Sequence, residues 1–152
     1  MGPVSSVVAA DELTTQQQQS VDLGAQIIAG GFKNGANYAP TVLSNVKEGM
    51  PAFHEELFGP VASVITVKDA DAAIVMANSH RYGLGATLFS RDTDRAYHYA
   101  RQISSGAVFI NAMVKSDPRL PFGGVKKSGY GRELADYGLK EFTNVKTIYI
   151  ND

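Results

Sequence analysis

Two short segments of this 152-residue chain hold side chains that could do chemistry. The first is Glu55-Glu56-Leu57-Phe58-Gly59-Pro60. An ionised carboxylate can accept two hydrogen bonds from a ribose diol, as acidic residues do at dinucleotide sites. An aromatic ring two residues on can cover a nicotinamide face. Gly59 and Pro60 fix the backbone just beyond. The competing reading is a solvated pair of loop carboxylates, the usual state of adjacent Glu residues. The second segment runs from Pro121 to Leu134 and places four glycines in the nine residues 123–131. Glycine is selected where the backbone needs φ > 0 or must pass close to another group. A helix-spaced stretch, 132–142, follows. A tight glycine loop therefore feeds a helix beside an aromatic anchor, Phe122.

Between the two segments, the loop from Asn111 to Phe122 carries Met113, Ser116, Asp117, Arg119 and Leu120. Its plain reading is a surface connection. Loops that leave the C-terminal ends of strands are also where α/β sheets bind ligands. Arg119 is either a ligand-facing cation or a solvent-facing arginine. Glu133 fits a first-turn acid that complements the helix dipole. Lys126 and Lys127 lie among glycines, but no Gly-x-x-x-x-Gly-Lys-Ser/Thr pattern is present, which excludes a P-loop. His54, His80 and His98 lack metal-ligand spacing, so no metal site is expected.

The elements that must position these residues alternate. Asp11 is read as an N-cap for a helix over 12–25, followed by a strand at 26–29 closed by Gly30-Gly31. Residues 31–37 form a turn-rich connection and 38–43 an extended segment interrupted by Pro40. A branched run, 61–67, reads as a strand. Asp69 or Asp71 caps a helix to Asn78. Residues 82–89 are nearly all apolar, as in a strand buried on both faces of a parallel sheet. A helix over 92–103, a strand at 107–110 and a final strand at 145–150 complete the pattern. Strands alternating with helices of about a dozen residues predict an α/β domain, an open, mostly parallel sheet with flanking helices.

Composition narrows the function further. The length fits one domain over 1–152, with no internal repeat or linker. A net charge of −1 leaves no basic field for nucleic acid. No apolar run approaches the ~20 residues of a membrane span, and the N-terminus lacks a signal-peptide form. The expected location is cytoplasmic. The chain has no cysteine, so it can form no disulfide, thiolate metal site or Cys nucleophile.

The Glu55–Pro60 hexad and the Pro121–Leu134 loop together resemble the C-terminal signature of the aldehyde dehydrogenase superfamily. Leu23–Gly31, Tyr38–Leu43, Tyr82-Gly83-Leu84 and Phe109-Ile110-Asn111 fall in family order around them. Nearly the whole chain is similar to the C-terminal third of such enzymes, and bacterial succinate-semialdehyde dehydrogenases look closest. The resemblance implies that Glu56 holds the nicotinamide ribose of NAD or NADP and that Phe58 packs against the nicotinamide. It places Phe122 in the wall of a substrate tunnel. Ser116, six residues earlier, matches a serine that helps hold a distal carboxylate, which points to a small carboxylated aldehyde. The residue matching Glu133 joins a proton relay in some members. A structural role is the favoured reading for Glu133 and for Arg132.

The resemblance also implies an oxidation in which a thiolate attacks the aldehyde, hydride passes to NAD(P)+ and water hydrolyses the thioester. The nucleophilic Cys, the general-base Glu and the oxyanion-hole Asn have no counterparts here, so no catalytic residue is assigned within this chain. The cofactor-binding domain is missing too. The expectation is a piece of a dehydrogenase that is inactive and holds no cofactor by itself, and that self-associates as a homo-oligomer through the strand at 145–150. The alternative is a non-catalytic α/β interaction module that keeps the fold without the chemistry.

Overall fold

The computed structural model describes residues 1–152. They form two compact units, Met1–Lys68 and Asp69–Asp152.

The first unit opens with helix α1, Val7–Asp22. Ser6 is its N-cap: the hydroxyl accepts the Ala9 amide at 3.0 Å. The helix thus starts five residues before the expected start at Glu12. Asp11, expected as the cap, lies inside it and pairs with Lys33 at 2.6 Å. The helix ends earlier than expected because Gly24, at φ +107, turns the chain out of it. Strand β1 (Gln26–Ala29) follows, then a hairpin of β2 (Lys33–Asn34) and β3 (Asn37–Tyr38), and then β4 (Thr41–Ser44). β4 alternates, with Thr41 and Leu43 buried. A one-turn helix α2 (Pro51–His54) leads through the hexad to β5 (Val61–Ser63). The sheet order is β1-β4-β5, antiparallel then parallel. β5 is shorter than the branched run 61–67 because its one partner, β4, ends at Ser44. Past Val64, whose amide reaches Leu43 O at 2.7 Å, no neighbouring strand remains.

Two apolar clusters fill this unit. Ala10, Leu13 and Tyr38 make one, and Ala25, Leu43, Val46, Met50 and Ala52 the other. Half-buried Leu57 and Val61 pack against both, so the hexad is fastened at its core side.

The second unit contains α3 (Ala70–Ser79), β6 (Tyr82–Gly83), β7 (Gly85–Leu88), α4 (Thr93–Ala100), β8 (Ala107–Ile110), β9 (Val125–Lys126) and α5 (Ala135–Glu141). Asp69 and Asp92 cap α3 and α4 by accepting the Ala72 and Arg95 amides. Parallel pairing joins β7 to β8, and antiparallel pairing joins β6 to β9. The apolar run 82–89 is therefore two strands that change partners at Leu84, not one strand buried on both faces. Close approaches flank the break. A Cβ on Gly83 would lie 2.6 Å from Ser104 O, and one on Gly85 would lie 2.8 Å from Val114. Phe89 is 74% exposed.

The α/β class is thus present, with its parallel pairing divided between two small sheets. Helix α4 stops at Ala100, short of Ile103, in tight turns at Gln102 and Ile103. Helix α5 begins three residues after Arg132, so Glu133 is not in its first turn; Asp136 is. The run 145–150 forms no strand: it has no partner, and Val145, Ile148 and Ile150 are exposed.

Candidate functional site

Each unit carries its own set of candidate residues. In the first, one face of α1 holds both ends of the segment that presents the hexad. Ser20, fully buried, accepts the Ala52 amide at 2.9 Å. That amide belongs to the first turn of α2, whose N-cap residue Met50 offers no side-chain bond. Ser20 therefore supplies the missing cap from another helix. One turn earlier on α1, the Gln16 Nε2 group donates to Glu55 Oε2 at 2.8 Å and to Glu56 O at 3.3 Å. A turn before that stands Leu13. A Cβ on Gly59 would overlap Leu13 Cδ2, so any larger residue would have to displace that buried side chain for the hexad to seat on the helix.

Beyond Glu56 the chain is tightly folded. Gly59 N reaches Leu57 O and Val61 N reaches Gly59 O, both at 2.8 Å, and Pro60 O accepts the Thr41 amide at 2.8 Å. These bonds fix the backbone while leaving two side chains outward. The Glu56 carboxylate is exposed and makes no hydrogen bond or ion pair, and Phe58 is 76% exposed. Val4, Ser5, Leu57, Phe58 and Gly59 line an open cavity of about 340 Å3. Glu56 is not part of that lining; its carboxylate is free to accept hydrogen bonds, and the Phe58 ring is open to stack on a planar group. Beneath them, buried Gln17 accepts from the Tyr38 hydroxyl at 2.9 Å and donates to Gly31 O. Burial pushes the Tyr38 phenol up, against the opposing influence of Thr14 and Lys33.

In the second unit, Phe122 and Glu133 face each other as an isolated antiparallel pair, each amide reaching the other's carbonyl at 2.8 Å. The glycines between them permit the fold-back. A Cβ on Gly123 would lie 2.6 Å from Gly131 O, and one on Gly106 would overlap the Gly123 carbonyl oxygen. Arg132 Nη1 donates to Gly124 O at 2.8 Å and Gly131 O at 2.7 Å, cross-bracing the loop. Pinning Glu133 to Phe122 leaves one residue to turn into α5. Leu134 takes φ 66, ψ 170, a region that costs a side-chain-bearing residue about 1–3 kcal/mol and clusters at functional sites. Phe122, Arg132, Glu133, Glu141 and Leu84 help line a cavity of about 370 Å3.

Ser116 is exposed on its loop and is not part of that cavity's lining. Next to it, Asp117 and Arg119 clamp one another. Arg119 Nε and Nη2 reach the two Asp117 oxygens at 2.9 and 2.7 Å, and the Arg119 amide adds a third bond at 3.0 Å. This guanidinium holds the Asp117 carboxyl well below the usual carboxylate range, with Lys115 adding a small push in the same direction. Arg119 is thus paired with Asp117 while its side chain stays 85% exposed. Lys126, considered for phosphate, instead donates to Asn78 O and His80 O at the end of α3. No three His, Asp or Glu side chains are grouped to hold a metal ion, and no helix is long and apolar enough to cross a membrane.

The sequence profile described as "Aldehyde dehydrogenase family" matches residues 1–148. The chain belongs to the aldehyde dehydrogenase family. It is 50% identical over 151 residues to a succinate-semialdehyde dehydrogenase [NADP(+)] of Deinococcus radiodurans, covering 97% of this chain and 32% of that protein. Against the succinate semialdehyde dehydrogenase [NAD(P)+] Sad of Escherichia coli K12 the identity is 45%, covering 98% and 33%. Among solved structures, the succinic semialdehyde dehydrogenase from Streptococcus pyogenes in complex with NADP+ superposes with a TM-score of 0.93 at 38% identity, covering 99% of this chain and 34% of that one. The chain therefore spans about a third of the length of the relatives it matches.

Gln16 and Ser20 are not among the residues that the sequence singles out. Leu13, Gln16 and Ser20 stand at i, i+3 and i+7, the spacing of one helix face. That spacing was the available signal.

Proposed function

We propose that this chain forms part of an NAD(P)-dependent aldehyde dehydrogenase that oxidises succinate semialdehyde or a similar small carboxylated aldehyde. The observation that carries the reading is the hexad: an unpaired Glu56 carboxylate and an open Phe58 ring on a backbone that α1 holds rigid. Glu56 accepts from the ribose diol of the cofactor, and Phe58 covers one face of the nicotinamide. The bound nicotinamide supplies the hydride acceptor. Phe122 forms tunnel wall, and the Ser116 hydroxyl donates to the distal carboxylate of the substrate. Glu133 acts through its backbone, as the partner of Phe122. These 152 residues contain no cysteine, so the thiolate that attacks the aldehyde comes from outside them. A thiolate mechanism suits a reducing, cytoplasmic setting. Residues 1–152 together make part of one catalytic domain, and the exposed apolar run after α5 supports self-association.

The test is a chimera in which these residues replace the matching third of the Deinococcus relative. It is expected to reduce NADP+ with succinate semialdehyde, while the 152-residue chain alone produces no NADPH. Glu56→Gln in the chimera should lower kcat/KM by about tenfold or more, the scale of a lost charge-assisted bond. A folded chimera indifferent to Glu56→Gln would overturn the reading.

A further inference from the structure

The hexad holds two adjacent glutamates, and only one of them can serve as the diol acceptor. The geometry points to Gln16 as the residue that decides which. We infer that Gln16 is a positioning residue: its side-chain amide engages Glu55 and the Glu56 carbonyl, so that the Glu56 carboxylate alone is presented. The inference rests on the reading of Glu56 as the ribose-binding group.

Three observations support it. Gln16 Nε2 spends its donors on Glu55 Oε2 at 2.8 Å and on Glu56 O at 3.3 Å. The first bond commits one carboxylate, and the second fixes the peptide that carries the other. The Gln16 backbone is held in α1, where its main-chain carbonyl accepts from Ser20 Oγ at 2.8 Å and Ser20 also takes the Ala52 amide. The Glu56 carboxylate has no partner and is exposed. Two unpaired carboxylates side by side would compete for one diol and repel one another. A neutral amide donor is suited to settle this, since it lowers the freedom of Glu55 without adding a cation that would pair with Glu56.

The binding experiment uses the chimera, with β-nicotinamide mononucleotide as the probe in a calorimetric titration, and the NMR observation uses the 152-residue chain. Gln16→Ala is expected to weaken binding about tenfold, the equivalent of one charge-assisted hydrogen bond. Glu55→Ala should match it, and the double variant should be no worse than either single one. Glu55→Gln keeps an acceptor oxygen and should lose less than Glu55→Ala. Gln18→Ala, whose amide bonds only Asp22, should change nothing. Independently of the probe, the Gln16 side-chain amide resonances should be shifted from those of Gln18 and Gln19 and should move in Glu55→Ala.

If Glu56→Gln weakens binding but Gln16→Ala lowers only the melting temperature, the positioning role is wrong and the Glu56 reading stands. Failure of the folded wild-type chimera to bind, or indifference to Glu56→Gln, removes the Glu56 reading and this inference with it. Gln16 amide resonances that ignore Glu55→Ala overturn the inference whatever the nucleotide does.

Discussion

The Ser20 hydroxyl accepts the Ala52 amide at 2.9 Å, joining the end of α1 to the start of α2 across 32 residues of sequence. Helix α2 is a single turn, too short to stand without help. Its Met50 N-cap has no polar side chain to offer. A serine on a neighbouring helix therefore does what a local cap ordinarily does, and the hexad leaves α2 in a direction set by α1.

Ser20→Ala should destabilise the first unit by about 1–2 kcal/mol, the cost of a lost cap that leaves a buried amide unpaired. Urea unfolding followed by circular dichroism reads this directly. An unchanged midpoint would mean that another acceptor takes the Ala52 amide.

Gly106→Ala should destabilise the second unit by about 3 kcal/mol, at the upper end for overpacking. The added methyl would overlap the Gly123 carbonyl oxygen, and backbone cannot yield as a flexible side chain does. Gly35→Ala is the control, since a Cβ there meets nothing within 4 Å, although its φ of +56 carries a smaller strain. The thermal unfolding of the two variants separates them.

What the sequence disclosed was local. The strands at 26–29 and 107–110 stand where their apolar runs end, because Gly30 and Asn111 break the pattern within one or two residues. The hexad was legible as chemistry because its carboxylates, ring and glycine are contiguous. What stayed hidden depended on partners far away in the chain. Glu133 reads as the first turn of a helix until Phe122 claims its backbone. Residues 145–150 alternate like a strand but find no neighbour to pair with. Gln16 looked like one of four glutamines until Glu55, 39 residues on, met its amide.

The exposed run after α5 should drive self-association. Ile148 is 77% exposed and Ile150 78%, in a segment that pairs with no strand. Light scattering on the eluting chain is expected to give a mass above the monomer's. Ile148→Lys should shift it toward the monomer by placing a charge on the edge. A wild-type chain that elutes as a monomer at tens of micromolar would refute this.

The Asp117–Arg119 clamp should make the Ser116 loop sensitive to acid. The folded-state Asp117 carboxyl sits below its ordinary value of 3.8, chiefly through its hydrogen bonds from Arg119. A depressed carboxyl contributes stability that is fully present above the unfolded value and is lost as pH falls through the folded one. Asp117→Asn should therefore unfold more easily than wild type at pH 7, and the difference should begin to shrink below about pH 4. The Arg119 side chain is open to solvent, so added salt should shrink it too. Denaturant midpoints of the two proteins across this pH range test the sign. A gap that is constant from pH 7 to pH 3 would show that the clamp does not hold the carboxylate in solution.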